Sequence, residues 1–381
     1  NSDLAPSIPR KGTVGASGDL TPSAHLALCL MGEGAFLRRD GTSVCGAVGL
    51  EELQLRPLAL ETRAGLALVN GTSVMTGIAT INAVRCRALT SGLISSASAY
   101  ADIMGARMEA YDPRLQAVRG HKGQILAAKL LREKLRGSER VQTCPIANTG
   151  VDDSFVQDPY TLRCLPQAFG AVIDMLDLHD QIIEAEVDAV TDNPVLIDEA
   201  PYVLHGGNFY GQHVGFASDA LIAPLISLAV IAERQIARIT DPVLNGDLPP
   251  FLQPREPGMN SGFMGAQVTA SALIAEMRSR AVPASMQSVP TNGNNQDINT
   301  MGTVAARKIS ELLDDAIAVL AIHALTIAQA VELSEQAGET GFSESTSSFV
   351  QHVRSVSPAL LEDRTLAPDI AKAVVLFDPA T

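Results

Sequence analysis

Apolar residues recur at three- and four-residue steps over 62–75, 78–93, 168–190, 211–239, 261–281 and 301–338. That spacing predicts α-helices that bury one face or more. Several of these segments far exceed the usual mean of roughly 11 or 12 residues, which predicts helices extending across subunits of an oligomer. A shorter helix is predicted behind Thr21-Pro22, read as N-cap and first helical position, with the apolar run 24–31 closed by Gly32 and Gly34. Proline and glycine cluster in the breaks, at Thr191-Asp192-Asn193-Pro194, over 247–257 and over 289–293. Strand patterning predicts two small hairpins, one over 194–205 and one over 44–55, while 134–158 is polar, lacks a period and reads as a mobile loop. The predicted fold is all-α, a single helical domain over 1–381 with a long central helix bundle and small β excursions.

Composition sharpens this picture. Apolar residues make up 46% of the chain but aromatics only 4%, so the core is built from Ala, Leu, Ile and Val, which favours close helix packing. With 28 basic against 42 acidic side chains the formal charge is −14, which argues against nucleic acid or an anionic membrane as partner and for a small molecule. Cys29, Cys45, Cys86, Cys144 and Cys164 are scattered without a C-x-x-C pair and read as reduced thiols of a cytoplasmic protein. His25, His121, His205 and His213 lack ligand spacing, so no metal is expected, and no Gly-x-Gly-x-x-Gly follows a strand. The chain opens at Asn1-Ser2-Asp3, which reads as lacking an upstream N-terminal segment.

The interruptions carry the candidate chemistry. Ala16-Ser17-Gly18 stands at the mouth of the first helix. Small residues there make a tight turn, but a sharper reading exists. Without a Cβ on Gly18, its nitrogen can bend back onto the Ala16 carbonyl. Loss of water closes a ring, and loss of the Ser17 hydroxyl leaves an exocyclic methylidene, an electrophile made from backbone. The helix N-terminus adds partial positive charge for anion density arriving on it. Elsewhere, Asn70-Gly71 is a turn signal, and Asp158-Pro159 reads as N-cap and first turn, placing Tyr160 and Arg163 on one helical face. A guanidinium near a helix N-terminus suits a carboxylate, although an exposed Arg and a half-buried Tyr are the plainer reading. Phe209 follows two glycines that allow close backbone approach, and Asn292, Asn295 and Gln296 occupy a loop before the long helix that they would cap.

The stretch "GTVGASGDLTPSAHLAL" is followed in order by "LALVNGTSVMTG", "QDPYTLRCLPQ", "VTDNPV", "LHGGNFYGQHV", "SGFMGAQVTASALIAEM" and "TNGNNQDINTMGTVAARK" across nearly the whole chain. On these motifs the sequence resembles the aromatic amino acid ammonia-lyases and aminomutases of the fumarase/aspartase-like superfamily. It is most similar to the bacterial members that act on tyrosine. The resemblance implies an autocatalytic methylidene-imidazolone (MIO) cofactor formed from Ala16-Ser17-Gly18, without metal. It places Asn70 with its amide toward that ring and the substrate, Arg163 as carboxylate clamp, Tyr160 beside the electrophile with Gln157 next to it, and Phe209, Asn295 and Gln296 around the cofactor. Asn292 is the residue that tyrosine lyases and several aminomutases carry where phenylalanine lyases have Glu, and Asp297-Ile298 after the Asn-Gln pair departs from the histidine lyases. The implied reaction is loss of ammonia from an aromatic L-amino acid, tyrosine first, to a cinnamate-type acid, in a homotetramer with shared sites. A catalytic tyrosine base and a ring-specificity motif are expected upstream of Asn1. Alternatives are an aminomutase forming the β-amino acid, a phenylalanine or histidine lyase, and a noncatalytic helical scaffold in which Ser17 never matures.

Overall fold

A computed structural model describes residues 3–143, 157–197, 202–256 and 258–380. The described helices are, in order, α1 (Leu20–Met31), α2 (Gly46–Glu52), α3 (Ala64–Val69), α4 (Ser73–Ile103), α5 (Pro113–Ala117), α6 (Lys122–Lys134) and α7 (Tyr160–Arg163). They continue as α8 (Leu165–Val187), α9 (Gln212–Ala220), α10 (Ile222–Thr240), α11 (Met264–Ser279), α12 (Gly302–Gln336), α13 (Glu344–Arg354) and α14 (Ala367–Phe377). Strands β1 (Leu4–Pro6), β2 (Ala35–Arg38) and β3 (Ser43–Cys45) form one antiparallel sheet in that order. Strands β4 (Val195–Ile197) and β5 (Tyr202–Leu204) form another, with Leu196 opposite Val203. The all-α expectation holds, and the hairpin expected over 194–205 forms.

The hairpin expected over 44–55 does not. Ser43–Cys45 pairs backward onto Ala35–Arg38, and the chain then enters helix α2. Asp40-Gly41 closes this hairpin: Gly41 takes φ 81° and the Asp40 carboxylate accepts from the Thr42 amide at 2.9 Å. Gly49 of α2 packs so closely on Phe36 that a Cβ there would lie 2.4 Å from the ring, and Cys29, Phe36 and Leu50 form a small core. Helix α1 also starts earlier than expected, at Leu20, with Asp19 at the N-cap in place of Thr21. Pro22 still falls within the first turn, where its missing N–H leaves no bond unmade. Gly32 ends α1 in the left-handed conformation as expected, φ 82°. The run 62–75 is interrupted by extended Asn70 and by Gly71 at φ 123°, so α3 and α4 are separate. In the expected mobile loop, 135–143 is instead fixed: Leu135 and Val141 are buried and the Gln142 amide donates to the Ala106 carbonyl at 3.0 Å. The remainder, 144–156, and Cys144 with it, lie outside the described residues.

The chain divides into two compact units, one of Asn1–Asn82, His179–Ala220 and Val282–Ser310, the other of Ala83–Leu178, Leu221–Ala281 and Glu311–Thr381. In the first, Met75, Ala79, Ile183, Val214, Ala217 and Ala306 form a core cluster. Met75 fills a slot that two glycines leave open, since a Cβ on Gly211 or Gly302 would lie 2.3 or 2.7 Å from its sulfur. In the second, buried alanines on α4 and α12, among them Ala97, Ala101, Ala321 and Ala328, let the helices pack without large rings. Two stretches, Gln212–Thr240 and Gly302–Gln336, are long and apolar enough to cross a membrane by length and composition, yet 89% of the most apolar window of the second is buried in the protein. That burial makes it a core helix.

His323 of α12 has no exposed surface; its Nδ1 lies 2.7 Å from Ser96 Oγ and burial pushes its pKa down to about 3. The unfolded chain therefore takes up a proton near pH 6.5 that the folded chain refuses. Stability at this site is full above pH 6.5 and falls with pH toward 3, by up to about 1.4 kcal/mol per pH unit. Urea unfolding from pH 7 to 4 is expected to show that acid slope, and His323→Asn, which removes the imidazole, is expected to flatten it. An unchanged slope would assign the acid sensitivity to other groups.

Candidate active site

Ser17 and Gly18 sit in a turn of unusual backbone. Gly15, Ser17 and Gly18 have φ of 78°, 52° and 75°. The glycines adopt this region freely, whereas Ser17 is held there against its intrinsic preference. The Gly18 amide donates back to the Gly15 carbonyl at 3.2 Å. The turn is then zipped to Gly71: the Asp19 amide donates to the Gly71 carbonyl at 2.7 Å and the Gly71 amide to the Ser17 carbonyl at 3.4 Å. A Cβ on Gly18 would stand 1.9 Å from the Gly71 oxygen. From the loop before α12, Gln296 Nε2 donates to Ser17 Oγ at 3.1 Å, while its own Oε1 accepts from the Thr291 hydroxyl at 2.8 Å. Of the amides in "NGNNQD", Gln296 thus reaches Ser17. Asn292 and Asn295 are exposed, and Asn292, Gly293 and Asn294 run through φ of 50°, 60° and 65°. Asn adopts that region more readily than Glu, which gives a backbone reason for the residue type at 292.

Behind the turn lies a carboxylate that sequence reasoning missed. Asp19 is fully buried; its Oδ2 accepts from the Met75 amide at 2.7 Å and its Oδ1 from the Thr303 hydroxyl at 2.6 Å. Burial pushes its pKa up and these hydrogen bonds pull against that. Asp19, the residue next to Gly18, thereby caps the first turn of α4 and is tied to the Thr303 side chain at the start of α12. An acidic residue between Gly18 and the apolar start of α1 was the available signal. Asn70 is half-buried beside Gly71, and its Nδ2 donates to Asp192 Oδ1 at 3.0 Å and to the Asn193 carbonyl at 3.4 Å. Asp192 Oδ2 accepts from Arg63 at 3.0 Å. Thr72 donates its hydroxyl to Glu186 at 2.6 Å and its amide to the Thr191 hydroxyl at 3.3 Å. The segment read from sequence as a chain break is thus the support of Asn70. Phe209 is half-buried in a turn closed by the Tyr210 amide on the Gly207 carbonyl at 2.8 Å. A Cβ on Gly206 or Gly207 would meet no described atom within 4 Å, so the close approach expected there is not what these glycines provide.

Gln157, Tyr160 and Arg163 belong to the second unit, where the structure brings them together. Helix α7 is one turn long with Pro159 at its N-cap, because the Asp158 carboxylate accepts instead from the Arg107 amide at 2.8 Å. The Arg163 guanidinium stacks on the Tyr160 ring, 4.7 Å from its centroid, and donates to Gln157 Oε1. Arg163 Nε is buried without a hydrogen-bond partner among the described residues. Tyr160 is 70% exposed, contrary to its half-buried reading, because it forms an outer wall of a cleft of about 500 Å³ that Arg107, Glu109, Gln157, Arg163 and Gln167 also line.

The sequence model of the aromatic amino acid lyases matches residues 1–355. The chain belongs to that family. It is 50% identical over 379 residues to a tyrosine ammonia-lyase of Cereibacter sphaeroides, covering 97% of this chain and 72% of the relative. It is 39% identical over 375 residues to a histidine ammonia-lyase of Bradyrhizobium diazoefficiens, covering 98% and 70%. Among solved structures, a tyrosine aminomutase of Streptomyces globisporus superposes with a TM-score of 0.91 at 35% identity, over 98% of this chain and 72% of that one. This lyase is therefore an enzyme of the carbon–nitrogen lyase class on the helical fold of the ammonia-lyases and aminomutases. Within it, the sequence motifs identified Ser17, Gly18 and Gln296, which meet in space, whereas Asp19, Thr72, Glu186 and Asp192 emerge from their long-range hydrogen bonds.

Proposed function

We propose that the enzyme eliminates ammonia from an aromatic L-amino acid, tyrosine first, to give the cinnamate-type acid, with an MIO formed from Ala16-Ser17-Gly18. The observation that carries this reading is the left-handed Ser17-Gly18 turn clamped on Gly71 with Gln296 on the serine hydroxyl. These residues fit the cofactor. The Gly18 nitrogen is already folded back over the turn, there is no room for a side chain at 18, and the Gln296 N–H draws electron density from the Ser17 oxygen that must leave. Once formed, the group supplies an electrophile for the substrate's amine, which is otherwise a poor leaving group.

The protein's side chains do the rest. Arg163, whose Nε has no partner among the described residues, binds the substrate carboxylate, and its stacking on Tyr160 and bond to Gln157 fix its plane. Asn70 offers a polar contact beside the turn, and Phe209 and Asn295 complete the surroundings. Tyrosine is favoured over histidine by 50% identity to the tyrosine enzyme against 39% to the histidine enzyme. An aminomutase is the second reading, favoured by the TM-score of 0.91 to the tyrosine aminomutase. We assign a homotetramer with shared sites, in keeping with exposed apolar residues such as Ile81, Val84, Phe216 and Val268 on the helices. A cytoplasmic location is in keeping with the thiols of Cys29, Cys45 and Cys164, which form no disulfide among the described residues.

Incubation with tyrosine, phenylalanine and histidine in turn, followed by chromatography of the products, tests this reading. Coumarate from tyrosine is the expected result. Accumulation of β-tyrosine would select the aminomutase, and consumption of none of the three together with an intact mass that shows no loss of two waters would overturn the catalytic reading.

A further inference from the structure

Asn70 has two kinds of polar group, an acceptor oxygen and a donor nitrogen, and which of them faces the Ser17-Gly18 turn decides what it can bind. The structure shows which of them the neighbours at 192 and 193 engage. Both groups that Nδ2 meets, Asp192 Oδ1 at 3.0 Å and the Asn193 carbonyl at 3.4 Å, are pure acceptors. The reverse rotamer would set Oδ1 against two acceptors and leave the nitrogen without them. Asp192 is itself fixed: Oδ1 also accepts from the Asn193 amide at 2.7 Å, and Oδ2 takes the Arg63 guanidinium at 3.0 Å. Arg63 in turn donates to the Pro194 carbonyl, which ties the carboxylate to the segment on which it sits.

We propose that Asp192 is a positioning residue that locks the Asn70 amide with its nitrogen turned away and its carbonyl oxygen presented. The inference rests on the reading above that Asn70 contacts the reacting amino acid. With both N–H groups engaged, Asn70 acts as an acceptor, and the group it suits is the substrate's ammonium or amine rather than a carboxylate or a ring oxygen. Gly71, the next residue, is bonded to Ser17 and Asp19, so the oriented amide is carried on the same backbone that holds the turn. In Asp192→Asn, the new amide can offer either a donor or an acceptor to residue 70. The lock is lost without loss of volume.

The test is a cycle in the intact protein: Asn70→Ala, Asp192→Asn, Asn70→Asp and the double variant Asn70→Asp/Asp192→Asn. Asp192→Asn is expected to lower kcat/KM by about tenfold, the worth of one oriented hydrogen bond. Asn70→Asp sets two carboxylates against each other and is expected to lose at least as much. In the double variant an amide at 192 can donate to a carboxylate at 70, which again presents an acceptor, while the Asn193 amide and carbonyl lose their matched partners; partial recovery, to a kcat/KM above either single variant, is expected. Unfolding temperature in Asp192→Asn and the two-water loss in intact mass in every variant are expected to stay at wild-type values, which a merely structural role would not give. Wild-type kcat/KM in Asp192→Asn, or a double variant no better than the singles, overturns the inference while leaving the function standing. Wild-type rates in Asn70→Ala overturn the placement of Asn70 and this inference with it.

Discussion

Replacing Ser17 with alanine is expected to reduce turnover by more than about a thousand-fold, because in the proposed function the hydroxyl is the group whose departure creates the electrophile. The fold has little stake in that oxygen. Ser17 is half-buried and its Oγ accepts one hydrogen bond, from Gln296 at 3.1 Å. Losing a single partly exposed bond of this kind costs about 1 kcal/mol. The variant is therefore expected to unfold near the wild-type midpoint, to keep the mass of the unprocessed chain, and to lack the near-ultraviolet absorbance of the matured cofactor. Turnover, intact mass and the absorbance difference spectrum measured on the same preparation give the answer. A Ser17→Ala protein with wild-type rates would mean that the Ala16-Ser17-Gly18 turn is scenery and that the chemistry lies elsewhere.

The helical architecture was legible because the helices are long and their apolar period is sustained; a 35-residue helix such as α12 leaves little ambiguity. What failed was local. The run 44–55 has strand-like residues, yet the turn that decides pairing, Asp40-Gly41, lies before it and sends Ser43–Cys45 backward onto Ala35–Arg38. Thr21 is as good a cap by residue type as Asp19, and the boundary is settled by partners more than fifty residues away, Met75 and Thr303. The same holds at the site. Ser17 and Gly18 could be read from their own chemistry, since the proposed cyclisation concerns adjacent backbone. Gln296 meets Ser17 across 279 residues, whereas its local pattern makes it a helix cap and the resemblance alone sets it beside the cofactor. Asp192 sat inside a tetrapeptide whose turn residues explained it completely. Its hold on Asn70 spans 122 residues and has no local pattern. For Asn292 the sequence pointed to substrate choice, while φ of 50° offers a backbone reason for the same residue.

Gly18→Ala is expected to be among the most damaging single-methyl changes in the first unit. Two effects add. The residue sits at φ 75°, where an L side chain is strained by about 1 kcal/mol. The new Cβ would also lie 1.9 Å from the Gly71 oxygen and 2.5 Å from its carbonyl carbon, both backbone atoms with no rotamer to yield. Relief requires the two segments to part by on the order of 1 Å in a close-packed region. That separation lengthens the bond from the Asp19 amide to the Gly71 carbonyl, now 2.7 Å, and the 3.4 Å bond from the Gly71 amide to the Ser17 carbonyl. Overpacking of this kind adds about 1–3 kcal/mol, for a total of about 2–4. Gly41→Ala separates the two effects, because Gly41 has nearly the same φ of 81° but nothing within 4 Å of a Cβ. It is expected to cost about 1 kcal/mol and to leave turnover alone. The difference between the two variants in urea unfolding is then the steric clash with Gly71. Loss of the two-water mass change in Gly18→Ala, but not in Gly41→Ala, would tie that clash to maturation. Equal stabilities and equal masses would mean that the Ser17–Gly71 contact is loose enough to admit a side chain, and the turn would lose its claim to hold the Gly18 nitrogen in place.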